Sequence, residues 1–265
     1  MSATISVAGP RRTDGSAGDA DYGRIGQGYA SYRQPEPAIA ALIEAALGPA
    51  QRILNVGAGA GSYEPRGRDM TAVEPSASMR AQRPADIVAA IDATAEALPF
   101  PDGHFDASMA TFTVHQWHDL DAGLREMRRV TRGPVAILSC DPKLVQAFWL
   151  NHYAPDVLAT EARRYPSLGH IGTVLGGDVE IAAVPIPFGC RDGFNEAYYG
   201  RPELFLDPGA RSACSAWSFV GETENAASIE KLRQDLECGT WDDCYGFLRQ
   251  QPNFDGSLRL VIARP

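Results

Sequence analysis

The stretch Arg52-Ile53-Leu54-Asn55-Val56-Gly57-Ala58-Gly59-Ala60-Gly61 constrains this chain more than any other. An apolar, β-rich run ending in glycines at alternate positions reads as a buried strand that breaks into a tight turn. The backbone of such a turn approaches a ligand that a Cβ would obstruct. Ala72-Val73-Glu74-Pro75 follows and places a carboxylate at the tip of the next strand. Doubly wound α/β folds put there the acid that accepts hydrogen bonds from both ribose hydroxyls of an adenosine. Together the two features predict an adenosine-bearing cofactor.

Glycine spacing narrows the choice of cofactor. A dinucleotide site uses G-x-G-x-x-G to open a full helix, whose N-terminal amides hold a pyrophosphate. Here the pattern is G-x-G-x-G with Ser62 at the later position, and only Ser62 to Asp69, including Pro65 and Gly67, precedes the second strand. A helix there is limited to a turn or two, which disfavours a nicotinamide dinucleotide. Ala95-Glu96-Ala97-Leu98-Pro99-Phe100 and Phe105-Asp106 come later in the same order. Over roughly residues 20 to 141 the chain thus resembles the class I S-adenosylmethionine-dependent methyltransferases, specifically the small-molecule group similar to the ubiquinone and menaquinone C-methyltransferases.

That resemblance implies an α/β fold, a doubly wound Rossmann-like seven-stranded sheet in the order 3-2-1-4-5-7-6 with its last strand antiparallel and a helical cap inserted. It also implies S-adenosylmethionine as cofactor and S-adenosylhomocysteine as product. Glu74 would take the ribose, and Gly57, Ala58, Gly59 and the backbone edge of Asn55 would approach the methionine moiety. Asn55 stands where the family has Asp, which reduces the charge opposite the sulfonium and ammonium. Pro75, Met79, Thr94, Ala95, Glu96 and Thr111 complete the expected lining. Thr94 replaces a family acid but can still accept through its hydroxyl, and Glu96 also reads as a cap or surface acid. Tyr29 and Arg33 belong to a Tyr-rich segment ending in Arg33-Gln34-Pro35 that the family folds over the methyl donor.

The remaining chain reads as alternating strands and helices. Strands are expected at Met70 to Glu74, Ile87 to Ile91, Phe105 to Thr111 and Val135 to Cys140, with an amphipathic helix from Asp119 to Arg132. Beyond Asp141-Pro142 the alternation fails. Lys143 to Arg164 and Pro166 to Gly176 read as helical, Val179 to Pro187 as a strand, and Glu196 to Trp217 as mostly helical. Residues 143–217 are therefore the expected substrate cap within a single methyltransferase domain of residues 20–265. A helix from Glu224 to Cys238 and a strand from Leu258 to Ala263 close the domain, and residues 1–19 read as a disordered or loosely held arm.

In-line displacement at a methyl carbon needs alignment in a dry pocket more than it needs a particular side chain. Where the acceptor must lose a proton, His115, just after the fourth strand, is the candidate base. The aromatic residues of the cap suit an acceptor with a planar or lipophilic part. Arg201 and Glu203 read as a surface pair. A net charge of −9 argues against nucleic acid or an anionic membrane surface as partner. Five cysteines without a C-x-x-C pair and no signal-peptide pattern fit a cytoplasmic enzyme with reduced thiols and no metal. The alternative class is a protein that holds the cofactor without transferring methyl.

Overall fold

The computed structural model describes residues Tyr29–Pro265. The expected arm at 1–19 and the side chain of Tyr29 lie outside the described residues. After a helical turn, α1 (Tyr29–Tyr32), the chain enters α2 (Pro37–Leu47). Pro37 presets the first turn, Glu36 caps it by accepting from the Ala38 amide, and Gly48 ends it at φ 60°. Ile39, Ile43, Ala46 and Leu47 form its buried stripe.

Next come β1 (Arg52–Val56), β2 (Asp69–Val73), α3 (Ala77–Ala81), β3 (Ala107–Thr111), α4 (Leu120–Val130) and β4 (Val135–Cys140). Strand β1 pairs in parallel with β2 and β3, and β3 with β4. Strands β1 and β4 are buried on both faces, hence their largely apolar runs. Helix α4 buries Leu124, Met127 and Val130 and is capped by Asp119, which accepts from the Ala122 amide at 3.0 Å.

The second half supplies α5 (Pro155–Arg164), α6 (Leu168–Leu175), β5 (Asp178–Ala183), β6 (Ile186–Pro187), α7 (Pro208–Ser212), α8 (Glu222–Glu237), α9 (Thr240–Tyr245), β7 (Asn253–Phe254) and β8 (Leu258–Arg264). The main sheet runs β2-β1-β3-β4-β8-β5, with β8 antiparallel to both neighbours, and β6 pairs with β7 in a separate ribbon. Alternating side chains feed two cores. Ile53, Met109 and Leu138 join the face covered by α2 and the aromatic second half, whereas Leu54, Ala110 and Ile137 join the face covered by α4 and α6.

The sheet has six strands, not the seven expected. The strand anticipated at Ile87 to Ile91 shrinks to a single parallel bridge between Val73 and Ile91. Its cause is local: Arg83 donates from Nε and Nη2 to the Val88 carbonyl, occupying an acceptor a strand would use, and Val88 and Ile91 stay exposed. Strand β5 lies inside residues 143–217, where a strand was expected at Val179 to Pro187. Arg201 does not pair with Glu203. It donates to the Cys190 and Ala197 carbonyls, and Glu203 binds Arg249.

One buried carboxylate ties the second half to the sheet. Glu196 accepts from the Ser257 amide at 2.8 and 2.9 Å and from the Ser257 hydroxyl at 2.9 Å, just ahead of β8. Burial pushes its carboxyl up to about 7. The folded chain therefore holds a proton there that the unfolded chain releases at ordinary carboxylate pH, so this group's contribution to stability falls as pH rises towards about 7. Glu196→Ala strands the Ser257 amide and is expected to cost about 1 to 3 kcal/mol. In urea unfolding that loss should be larger at pH 5 than at pH 8.

Candidate active site

A cleft of about 880 Å³, counting its open mouth, lies at the carboxyl ends of β1, β2 and β3. Its floor is the glycine turn, where Gly57, Gly59 and Gly61 take φ of 67°, 51° and 95°. A Cβ on Gly57 would sit 2.1 Å from Thr113 Oγ1, and one on Gly61 would sit 2.2 Å from Ile87 Cδ1. The turn is held by the Ala58 amide on the Val73 carbonyl at 2.9 Å and by the Gly59 amide on Glu74 Oε2 at 2.8 Å. Glu74 Oε1 accepts from the Ser76 amide at 2.8 Å. Each carboxylate oxygen retains acceptor capacity toward the cleft that Glu74 lines. Burial raises its carboxyl above the ordinary range against the pull of those amides.

Among the residues expected from sequence, Arg33, Gly57, Ala58, Gly59, Glu74 and Pro75 line this cleft, as do Met79, Thr94, Ala95, Glu96 and Thr111. Ser76 caps α3 and so presents Met79, whose Cε lies 3.3 Å from where a Gly59 Cβ would be. Glu96 also has the expected capping work, accepting the Asp119 amide at 3.1 Å. Two residues fall elsewhere. Asn55 is buried beneath the turn with Nδ2 donating to Glu64 Oε1 at 3.0 Å, and Glu64 in turn pairs with Arg83. His115 lines a second pocket, its ring 4.8 Å from that of Tyr165.

Sequence reasoning missed Tyr63, Phe112, Trp117 and Asp192, all of which line the cleft. Tyr63 and Phe112 are the non-glycine residues with positive φ among those described, at 64° and 52°. Backbone in that region concentrates at functional sites, yet neither residue type advertises it. Asp192 is brought in from far along the chain. It accepts from the Tyr63 hydroxyl at 2.8 Å and pairs with Arg33, which also lies over the Phe112 ring at 5.1 Å.

The second pocket, about 500 Å³, shares Arg33 and Phe112 with the cleft. Its other walls come from α5 and Tyr165, from Phe194 and Asn195, and from the stretch after α7. Most of the cap aromatics are core: Phe148, Trp149, Tyr153, Tyr198, Tyr199 and Trp217 are buried, and Phe194 reaches this pocket. Among the described residues no group of His, Cys, Asp and Glu is placed to hold a metal ion, and no helix is long and apolar enough to cross a membrane.

The cleft fits an adenosyl sulfonium on its own chemistry. Thr94 Oγ1 and Trp117 Nε1 are buried in its lining with no hydrogen-bond partner, an acceptor and a donor awaiting a polar ligand edge. The glycine cradle leaves room where side chains would stand, and Glu74 offers oxygen to a diol.

A family model described as a methyltransferase domain matches residues 54–136. The chain is 33% identical over 144 residues to a malonyl-[acyl-carrier protein] O-methyltransferase of Pseudescherichia vulneris, covering 49% of this chain and 57% of that protein. It is 34% identical over 99 residues to a demethylmenaquinone methyltransferase of Mycolicibacterium gilvum, covering 36% of this chain and 43% of that one. The chain thus spans less than two thirds of these relatives. Among solved structures, a protein of Anabaena variabilis, provisionally described as a methyltransferase from an antibiotic biosynthesis pathway, superposes with a TM-score of 0.83 at 28% identity, covering 88% of this chain and 99% of its own. The family model reads the strand, turn and acid that build the cleft, and the solved relative follows the fold almost throughout; residues 54–136 carry a methyltransferase domain, the chain is similar to the class I S-adenosylmethionine-dependent methyltransferases, and S-adenosylmethionine is its cofactor.

Proposed function

We propose that the protein transfers a methyl group from S-adenosylmethionine to a small-molecule acceptor seated in the second pocket. The observation that carries this reading is the shared wall: Arg33 and Phe112 line both the cleft and the pocket. A nucleophile held in the pocket is thereby aimed across that wall at the cleft, and the surrounding protein keeps bulk water from the line of attack. The cofactor supplies an electrophilic methyl group on a sulfonium. In this reading Glu74 accepts from the ribose diol, Pro75 and Met79 flank the adenine, and Thr94 with the Ala95 amide takes its polar edge. Gly57, Ala58 and Gly59 leave backbone room for the methionine part, with Asn55 supporting them from below. Asp192 supplies the acid near the amino-acid tail that Asn55 lacks. Residues 143–217, apart from β5, serve as the cap.

Likeness to the Anabaena variabilis protein over nearly its whole length supports an acceptor from specialised metabolism, as its description suggests for that protein. Small-molecule extracts incubated with the chain and deuterium-methyl S-adenosylmethionine are expected to yield a mass-shifted product together with S-adenosylhomocysteine. Cofactor binding by calorimetry with no labelled product from any extract would favour a protein that holds the cofactor without transfer.

Glu74→Ala is expected to weaken S-adenosylmethionine binding by roughly 2 to 3 kcal/mol, the scale of losing charge-assisted hydrogen bonds. Because burial raises this carboxyl, affinity in the wild-type chain should fall on acidification at a higher pH than an ordinary carboxylate would produce. Titration calorimetry at several pH values reads both effects, and an unchanged dissociation constant in Glu74→Ala removes the residue from the ribose site.

A further inference from the structure

Glu161, on the last turn of α5, lines the second pocket. Its carboxylate is held in a defined pose. Asn195 Nδ2 donates to Glu161 Oε2 at 2.6 Å, and Trp217 Nε1 donates to Asn195 Oδ1 at 3.0 Å. The tryptophan can only donate, so it fixes which end of the Asn195 amide faces the acid. Burial raises the Glu161 carboxyl above the ordinary range. The Asn195 donor, the Arg164 and Arg33 guanidiniums and the Tyr165 hydroxyl work against that rise. The Glu161 charge helps to raise the buried Glu196 carboxyl, and the His115 ring packs against that of Tyr165.

This wall discriminates among acceptors. An ammonium would meet the two guanidiniums of Arg33 and Arg164, and a carboxylate would face Glu161 with no proton to give. A hydroxyl suits both signs of charge, because it donates to Glu161 while negative charge developing on its oxygen is met by the arginines. We propose that the second pocket takes an acceptor presenting an acidic hydroxyl, a phenol or an enol, and that Glu161 receives its proton. This rests on the methyl-transfer reading above. As transfer occurs, an oxygen lone pair forms the bond to the methyl carbon, and the carbon–sulfur bond breaks with its electron pair left on sulfur. The O–H proton passes to Glu161, and the products are a neutral ether, a thioether and a protonated acid.

Binding tests the site apart from turnover. With the full chain saturated with S-adenosylhomocysteine, and at a pH that keeps the phenol protonated, 4-nitrophenol is expected to bind at least tenfold tighter than 4-nitroanisole, which lacks the O–H. Glu161→Gln should abolish that preference while leaving S-adenosylhomocysteine affinity within twofold. Equal affinity of the wild-type chain for the two probes, or a preference that survives in Glu161→Gln, overturns the proposal. In the labelling experiment the new methyl should reside on oxygen of a former hydroxyl, and label on carbon, nitrogen or a carboxylate overturns it. Asn195→Ala removes a donor that favours the charged acid, so the acidic limb of the kcat profile should move to higher pH; an unmoved limb excludes Glu161 as the proton acceptor. Extracts that give no label count against methyl transfer itself, whereas the nitrophenol comparison reads the hydroxyl site alone.

Discussion

The buried carboxylate of Asp192 is the junction on which the site's geometry depends. It binds Arg33 from the segment before α2 and the hydroxyl of Tyr63 from the end of the glycine turn, while itself belonging to the second half of the chain. The Glu36 amide donates to the same Tyr63 hydroxyl at 3.3 Å, and Glu36 Oε2 accepts the Arg191 amide at 3.0 Å. Three distant stretches are thus joined by groups that are almost fully buried. A charge in such a place is tolerable only while each of its partners stays. The arrangement therefore holds the wall between cleft and pocket in one geometry, since Arg33 reaches that wall across the Phe112 ring.

A second level of order lies beneath the cleft floor. Glu74 spends one acceptor site on Gly59 and one on Ser76, coupling the turn after β1 to the cap of α3. The same carboxylate thereby shapes the empty cradle and remains able to accept from a ligand. Glu64 and Arg83 form a nearly fully buried ion pair below, with Asn55 bonded to the acid. Structural and ligand-facing carboxylates are thus interleaved within a few residues of each other.

Much of the first half was legible because its information is local. The strand at Val135–Cys140 has the bounds its apolar run predicts, and the turn and Glu74 follow from spacing. The strand expected at Ile87 to Ile91 failed because apolar content says nothing about Arg83, whose side chain takes the Val88 carbonyl. That the Asn55 side chain is bonded to Glu64 was not legible, because strand alternation does not reveal that Glu64 returns beneath the turn. His115 follows the strand Ala107–Thr111 as expected, but it lines the second pocket and not the cleft, which spacing along the chain does not record. Asp192, Glu161 and Asn195 carry no motif. They matter through contacts spanning many residues, which periodicity and spacing do not record.

The closeness of Gly57 to Thr113 has an evolutionary corollary. A methyl group at position 57 would overlap the threonine side chain and would also sit on backbone at φ 67°. The two positions therefore cannot vary independently: a lineage that shortens the residue at 113 gains space but still meets the backbone requirement at 57. Drift is permitted at the threonine and closed at the glycine, so the neighbours should accept change at very unequal rates.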